Sequence, residues 1–247
     1  MDDFQLTITP LQPAALPSEE TVIAAGNRLI ESTSTWKQGK TYHINVKTCH
    51  RPKSPADGAP WHCRISEHPP AEATFDQLWA KLGEDKALNE KEFIPEIKEV
   101  IKLKEVSPTA SIWALYYTFT PPVSPRVFTV IQIRRLDTTS AKRRGMIVSL
   151  PIDLSGPEDK KLAALEPEGV RGRYVAVETI TDLDNGNTEW RMATSSTPGG
   201  IIPSFVVETT MNSKIADVCI NLSQTNFSLT NLQDVPHFMT WLRQLPK

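Results

Sequence analysis

The chain has 247 residues, 27 basic and 29 acidic, and its net charge of −2 supplies no global field that would draw in nucleic acid or an anionic membrane. It contains no long uninterrupted apolar run, and residues 1–25 lack the basic, then apolar, then small-residue order of a signal peptide. Cys49, Cys63 and Cys219 cannot all pair internally, so the expectation is a soluble cytoplasmic protein with free thiols.

No Gly/Ser-rich or long charged stretch divides the sequence, which predicts one domain over 1–247. In chain order, Ser18 caps a helix running to Ser32, with Glu19 and Glu20 at its positive end and Val22, Ala25 and Leu29 as its apolar stripe. Strands follow at Tyr42–Thr48 and Trp61–Ser66, paired across the polar loop 51–60. Thr74 and Gln77 form a capping box for a second helix carrying Phe75, Leu78, Trp79 and Leu82. Asn89 caps a third helix that Pro95 kinks or breaks.

Six strands are then predicted, at 100–106, 111–119, 126–134, 144–152, 170–180 and 188–195. Asn185-Gly186 turns the last two into a hairpin. The chain next runs through Gly199-Gly200 into a helix marked by Pro203 and by Ile202, Phe205, Val206 and Thr209. Helix, strands, small helices, a run of strands and a closing helix is an α+β order, not the alternation of a parallel sheet.

Three stretches carry a resemblance: Ser124 to Val130 (Ser-Pro-Arg-Val-Phe-Thr-Val), Gly172 to Glu178 and Trp190 to Pro203, closed by Asp234 to Leu242. In these the chain resembles the START-like lipid-transfer superfamily, and more closely a fungal START-like family of unassigned function. That resemblance implies a helix-grip fold, a curved antiparallel sheet wrapped around a long C-terminal helix with a ligand between them. Residues 218–233 depart from the family by interrupting the last helix. Two readings stay open: a genuine surface loop, and a retained in-frame intron, since Val218-Cys219 and Gln233 can be encoded by intron-border sequences.

With Asn185-Gly186 as a two-residue loop, Glu178 opposes Ala193, so Val175, Val177, Thr179, Trp190, Met192 and Thr194 share one face. That face is the expected ligand wall, with Trp190 and Met192 its apolar surface. Glu178 and Arg191 are diagonal neighbours, an ion pair that decorates the surface or, in a shifted register, fixes a ligand's polar end. Arg126, beside Phe128, either anchors a head group or caps nearby carbonyls. Trp113 and Tyr117 share the interior candidate face of their strand with Phe119.

Cys49-His50 and His62-Cys63 look like a zinc quartet, but adjacent strand residues point to opposite faces, so no metal is expected. His43, His68 and His237 have no recognisable partner in the sequence, and no catalytic base is nominated. No nucleotide-binding or hydrolase motif appears, and no cofactor is implied. The expected function is binding or transfer of an apolar small molecule, a lipid, sterol or polyketide-like metabolite, with transient membrane contact left open and the oligomeric state undetermined. The alternatives are a cyclase or isomerase using the same cavity, and a protein-interaction module with a filled core.

Overall fold

The local signals that open the chain act as read. In the computed structural model, which describes residues 4–42, 45–55, 57–119, 123–197, 199–200 and 226–245, α1 spans Glu19–Ser32. Ser18 Oγ accepts from the Thr21 amide at 3.2 Å, satisfying one of the free donors at the helix start. Side chains of the last stretch are described from Val235 on. His43, Cys219, the helix expected around 202–209 and residues 218–225 lie outside the described residues.

The strands are β1 Lys37–Tyr42, β2 Val46–Arg51, β3 Trp61–His68, β4 Ile97–Ser107, β5 Ala110–Tyr117, β6 Arg126–Asp137, β7 Arg144–Pro151, β8 Val170–Arg171, β9 Arg173–Asp182 and β10 Thr188–Thr197. They build one curved sheet in the order β1-β2-β3-β10-β9-β7-β6-β5-β4, antiparallel throughout that path, with β8 added parallel to the start of β6. The expected Tyr42–Thr48 strand is instead the corner between β1 and β2. The alternation of Tyr42, Ile44 and Val46 in the sequence runs straight from the end of β1 to the start of β2, so periodicity alone could not locate the break.

Helices α2 (Phe75–Leu82), α3 (Lys86–Phe93) and α4 (Lys160–Ala163) are short, and α5 runs from Asn226 to Gln244. The Thr74 and Gln77 capping box of α2 is formed. Helix α3 begins three residues before the expected Asn89 cap. Asp85 takes a left-handed φ of 44°, and its carbonyl accepts from Leu88 and Asn89 at 2.9 and 3.0 Å. The Asn89 side chain instead donates to the Lys81 and Glu84 carbonyls, both at 2.9 Å, tying α2 to α3. The helix ends at Phe93, before Pro95.

The β9-β10 register differs from the expected one by a residue. Leu183 N–H donates to Asn187 O at 2.9 Å and Gly186 N–H to Leu183 O at 3.0 Å, enclosing a three-residue loop with Gly186 at φ 80°. Glu178 therefore opposes Met192, and Val177 opposes Ala193. Because side chains alternate, the shift moves Glu178 to the face of Trp190 and Met192 and Val177 to the other, where Arg191, next to Trp190 on β10, already lies.

Both faces are covered. On the outer face α1 lies against Met146, Val148 and Val177, so closely that a Cβ on Gly26 would come within 2.9 Å of Met146 Sδ. On the inner face Trp113, Leu115, Tyr117, Phe128, Val130, Ala176, Ile180, Trp190 and Met192 pack with α2, α3 and α5. No helix among the described residues is long and apolar enough to cross a membrane.

Gly186 has open space where a Cβ would sit, so a side chain there meets only the backbone cost of its positive φ. Gly186→Ala is expected to lower stability by about 1 kcal/mol, read as a reduced urea midpoint with an unchanged m-value.

Candidate functional site

The inner face joins an aromatic wall to a buried ionic cluster. The wall is continuous from sheet to helix: Trp190 meets Phe238 of α5 edge-on at 5.2 Å, and Phe238 meets Phe93 of α3 at 5.2 Å. Trp241 completes the group 5.6 Å from Phe93. Farther along the sheet, Phe128 stands between Tyr117 at 5.2 Å and Tyr174 at 5.7 Å. Such pairs hold ring orientation as well as area.

The cluster centres on Lys86, only 6% exposed at the first position of α3. Its ammonium donates to Glu90 one turn on, and to Glu178 of β9 at 2.9 Å. The other Glu178 oxygen accepts from Trp190 Nε1 at 2.9 Å. Arg64 of β3 lays its guanidinium 4.0 Å from the Trp190 ring centroid and donates to Met192 Sδ at 3.5 Å. Among the described residues, two cations and two carboxylates thus share one buried neighbourhood, and their four formal charges cancel.

The electrostatics separate the two carboxylates. Burial alone would raise the Glu178 pKa, but attraction to Lys86 and then Arg64 outweighs it and holds the group below its ordinary value. For Glu90 burial wins, with help from the negative Glu178, and the pKa is raised despite Lys86. Burial works against the charged Lys86, yet Glu178 and Glu90 push its pKa well above the usual range, so it stays an ammonium at neutral pH. Burial also raises the Tyr174 phenol, followed by the charge of Glu90, and its hydroxyl bonds Ser149.

Of the residues expected to form the site, the structure brings Trp113, Tyr117, Phe128, Glu178, Trp190, Met192 and Thr194 to the inner face. Thr194 is buried there and donates back to Val175 O at 3.1 Å. Arg126 begins β6 on the same face and donates to the Ser124 and Pro125 carbonyls, with burial depressing its pKa. Val177 and Arg191 both lie on the outer face, a correction: the register carries Val177 there, and Arg191, adjacent to Trp190 on one strand, faces away from it in any register. Arg191 holds Glu189 and Thr33 there and makes no pair with Glu178.

Arg64, Lys86, Glu90, Gln132 and Tyr174 were not anticipated. Spacing Lys86 and Glu90 four apart reads as an exposed helix pair until the start of α3 is known.

Cys49 opposes Cys63 and His50 opposes His62 across β2 and β3. The thiols join the outer core, while the two imidazoles stack on the inner side at 6.4 Å. His68, read as solitary, is paired: its Nε2 lies 2.9 Å from Ser66 Oγ and its Nδ1 3.5 Å from the Glu72 carboxylate. Burial still outweighs Glu72 and keeps its pKa below the ordinary value.

The profile of a family described as "Protein of unknown function (DUF3074)" matches residues 61–223. No curated protein matches the sequence. Among solved structures, human StAR-related lipid transfer protein 5 is similar with a TM-score of 0.67 at 13% identity, over 92% of this chain and 95% of that one. Human STARD10 gives 0.57 at 14% identity, over 94% and 90%. A STAR-related lipid transfer protein fragment from Xanthomonas axonopodis gives 0.57 at 17%, over 85% and 99%. The likeness is one of fold: a curved antiparallel sheet with a C-terminal helix, the START helix-grip arrangement.

Removing the shared cation should strand both carboxylates. Lys86→Met is expected to cost about 3–5 kcal/mol at pH 7.5. The loss should shrink toward pH 5, because Glu90, already raised, and Glu178, no longer held down, then take up protons in the folded variant. Urea denaturation of both proteins at the two pH values reads the difference.

Proposed function

This chain belongs to the DUF3074 family of proteins of unknown function, and from that membership and its START-like fold we propose that it binds or transfers a hydrophobic small molecule, a lipid, sterol or polyketide-like metabolite, between the inner face of the sheet and the C-terminal helix. Two of the named structural neighbours are lipid transfer proteins by name, which supports a ligand of this class. The observation that carries the reading is the ionic cluster of Lys86, Glu90, Glu178 and Arg64 set among the aromatic rings of the same face. For stability alone, apolar residues of similar volume would serve as well, since buried ions cost several kcal/mol each in desolvation. A convergent polar group in an apolar wall is what a ligand site uses to fix one end of its guest.

In this reading the aromatic rings and Met192 hold the apolar body, and the cluster sets its orientation. The protein acts in the cytoplasm and meets membranes transiently to load or release. Residues 218–233 are treated as an insertion, and sequencing of the mature transcript distinguishes a coded segment from a retained intron.

A second reading, an isomerase or cyclase working by confinement, is favoured by one observation. Glu90 combines a pKa raised chiefly by burial with an electrostatic contact to Tyr174 in the same buried cluster, and a carboxyl shifted toward its protonated form is a candidate acid or base.

Protein purified from its own source should carry a bound apolar compound, detected by native mass spectrometry and identified after extraction. Adding that compound back at a hundredfold excess over Kd should raise the melting temperature by roughly 5–10 °C and change Trp190 emission. Release unchanged supports a carrier, and release in altered form supports the enzyme. No captured compound together with no thermal shift from any apolar ligand sinks both.

A further inference from the structure

One inner-face side chain is left without a partner in a way that identifies what the ligand brings. Gln132 is 7% exposed, and its Nε2 has no hydrogen-bond partner among the described residues. Alternation along β6 sets it on the inner face, since Phe128 and Val130 belong to the inner core while Ile131 and Ile133 belong to the outer one. In the sheet it lies between Ser111 of β5 and Ser149 of β7, and Ser149 bonds the Tyr174 hydroxyl. Burying an amide donor with nothing to accept from it costs free energy that an unliganded core would avoid.

The charges nearby define the acceptor further. Lys86 is already held by two carboxylates, and Arg64 balances the remaining negative charge. A carboxylate or phosphate entering here would be a third anion beside Glu90 and Glu178. Two further cations share this face of β6: Arg134, two residues away, donates to the Gly83 and Pro108 carbonyls, and Arg126, six residues away and roughly 20 Å along the strand, donates to Ser124 and Pro125 while its Nε has no partner among the described residues. A primary amide, by contrast, is the complement of a neutral oxygen, donating to a carbonyl or exchanging both bonds with a hydroxyl.

Resting on the apolar-ligand reading above, we propose that the natural ligand is uncharged and carries a hydroxyl or carbonyl oxygen that Gln132 recognises on the shelf made with Ser149 and Tyr174. The ligand class is therefore an apolar alcohol or ketone, not a fatty acid or a phospholipid headed by its phosphate.

Displacement of the neutral dye Nile red from the full chain by 1-decanol, decanoate and decane at pH 8 tests this. Decanol should displace the dye at about five- to tenfold lower concentration than decane, the worth of one neutral hydrogen bond, and should also outcompete decanoate. Gln132→Met and Gln132→Leu should erase the preference for decanol over decane and leave decane itself unchanged. Both variants should melt at or above the wild-type temperature without ligand, because they remove an unmet buried donor. Preference for decanoate, a decanol preference that survives both variants, or a lowered melting temperature of the unliganded Gln132→Met protein overturns the assignment while leaving the apolar site standing. If none of the three compounds displaces the dye and none raises the melting temperature, the apolar-ligand reading falls with it.

Discussion

The inner face is organised around an ammonium held out of water by two carboxylates. Lys86 cannot be buried without Glu178 and Glu90, and those carboxylates cannot remain buried and ionised without it. Their three side chains arise on two elements far apart in sequence, so the cluster exists only if α3 and β9 meet in one rotation and one register. Two turns decide that. Asp85, in a left-handed conformation that few non-glycine residues adopt, starts α3 early enough to point Lys86 at the sheet. Gly186, also left-handed, adds the third loop residue that sets Glu178 opposite Met192.

Those two devices differ in kind. At Gly186 the residue type absorbs the strain, and the conformation has little cost. At Asp85 the strain remains in the chain, of the order of 1–3 kcal/mol, and persists because its surroundings over-determine it. The Leu88 and Asn89 amides bond the Asp85 carbonyl, the Asn89 amide group bonds the end of α2, and Lys86 is fastened to β9. A strained residue next to a buried charge is consistent with a chain that places a functional group rather than one that only fills space.

Much of the fold was legible. Ser18 and Thr74 announced their helices through local capping chemistry, which needs no tertiary information, and the six later strands followed from alternation and turns. The resemblance of three stretches to START-like sequences supplied the helix grip. The site was less legible because it depends on parity. Asn185-Gly186 suits a two-residue loop and a three-residue loop alike, yet one added residue exchanges the faces of β9, moving Val177 away from Trp190 and Glu178 toward it. Lys86 and Glu90 escaped notice for a similar reason. Asn89 followed by Glu92 makes a good cap signature, and the competing start at Asp85 rests on a φ that sequence rarely reports. Gln132 could not be singled out, since an amide in a strand becomes informative only when its partners are known.

The wall and the cluster resist change in different ways. The contacts seen between α5 and the inner face join rings, Phe238 on Trp190 and Phe93 with Trp241 beside them and Lys81 near its face, to the aliphatic and thioether side chains of Val235 and Met239. Stacking of this kind is non-directional enough to slide, and it is worth about 0.5–1.5 kcal/mol per pair beyond area burial. Among the described residues the ionic cluster is anchored on α3 and the sheet, and losing one member leaves an uncompensated charge. Displacing the last helix therefore disturbs many weak contacts and leaves the ionic bonds seen among the described residues in place. A face built this way can be uncovered while its described polar groups keep their geometry, which is what the proposed binding of an apolar guest between sheet and helix would require.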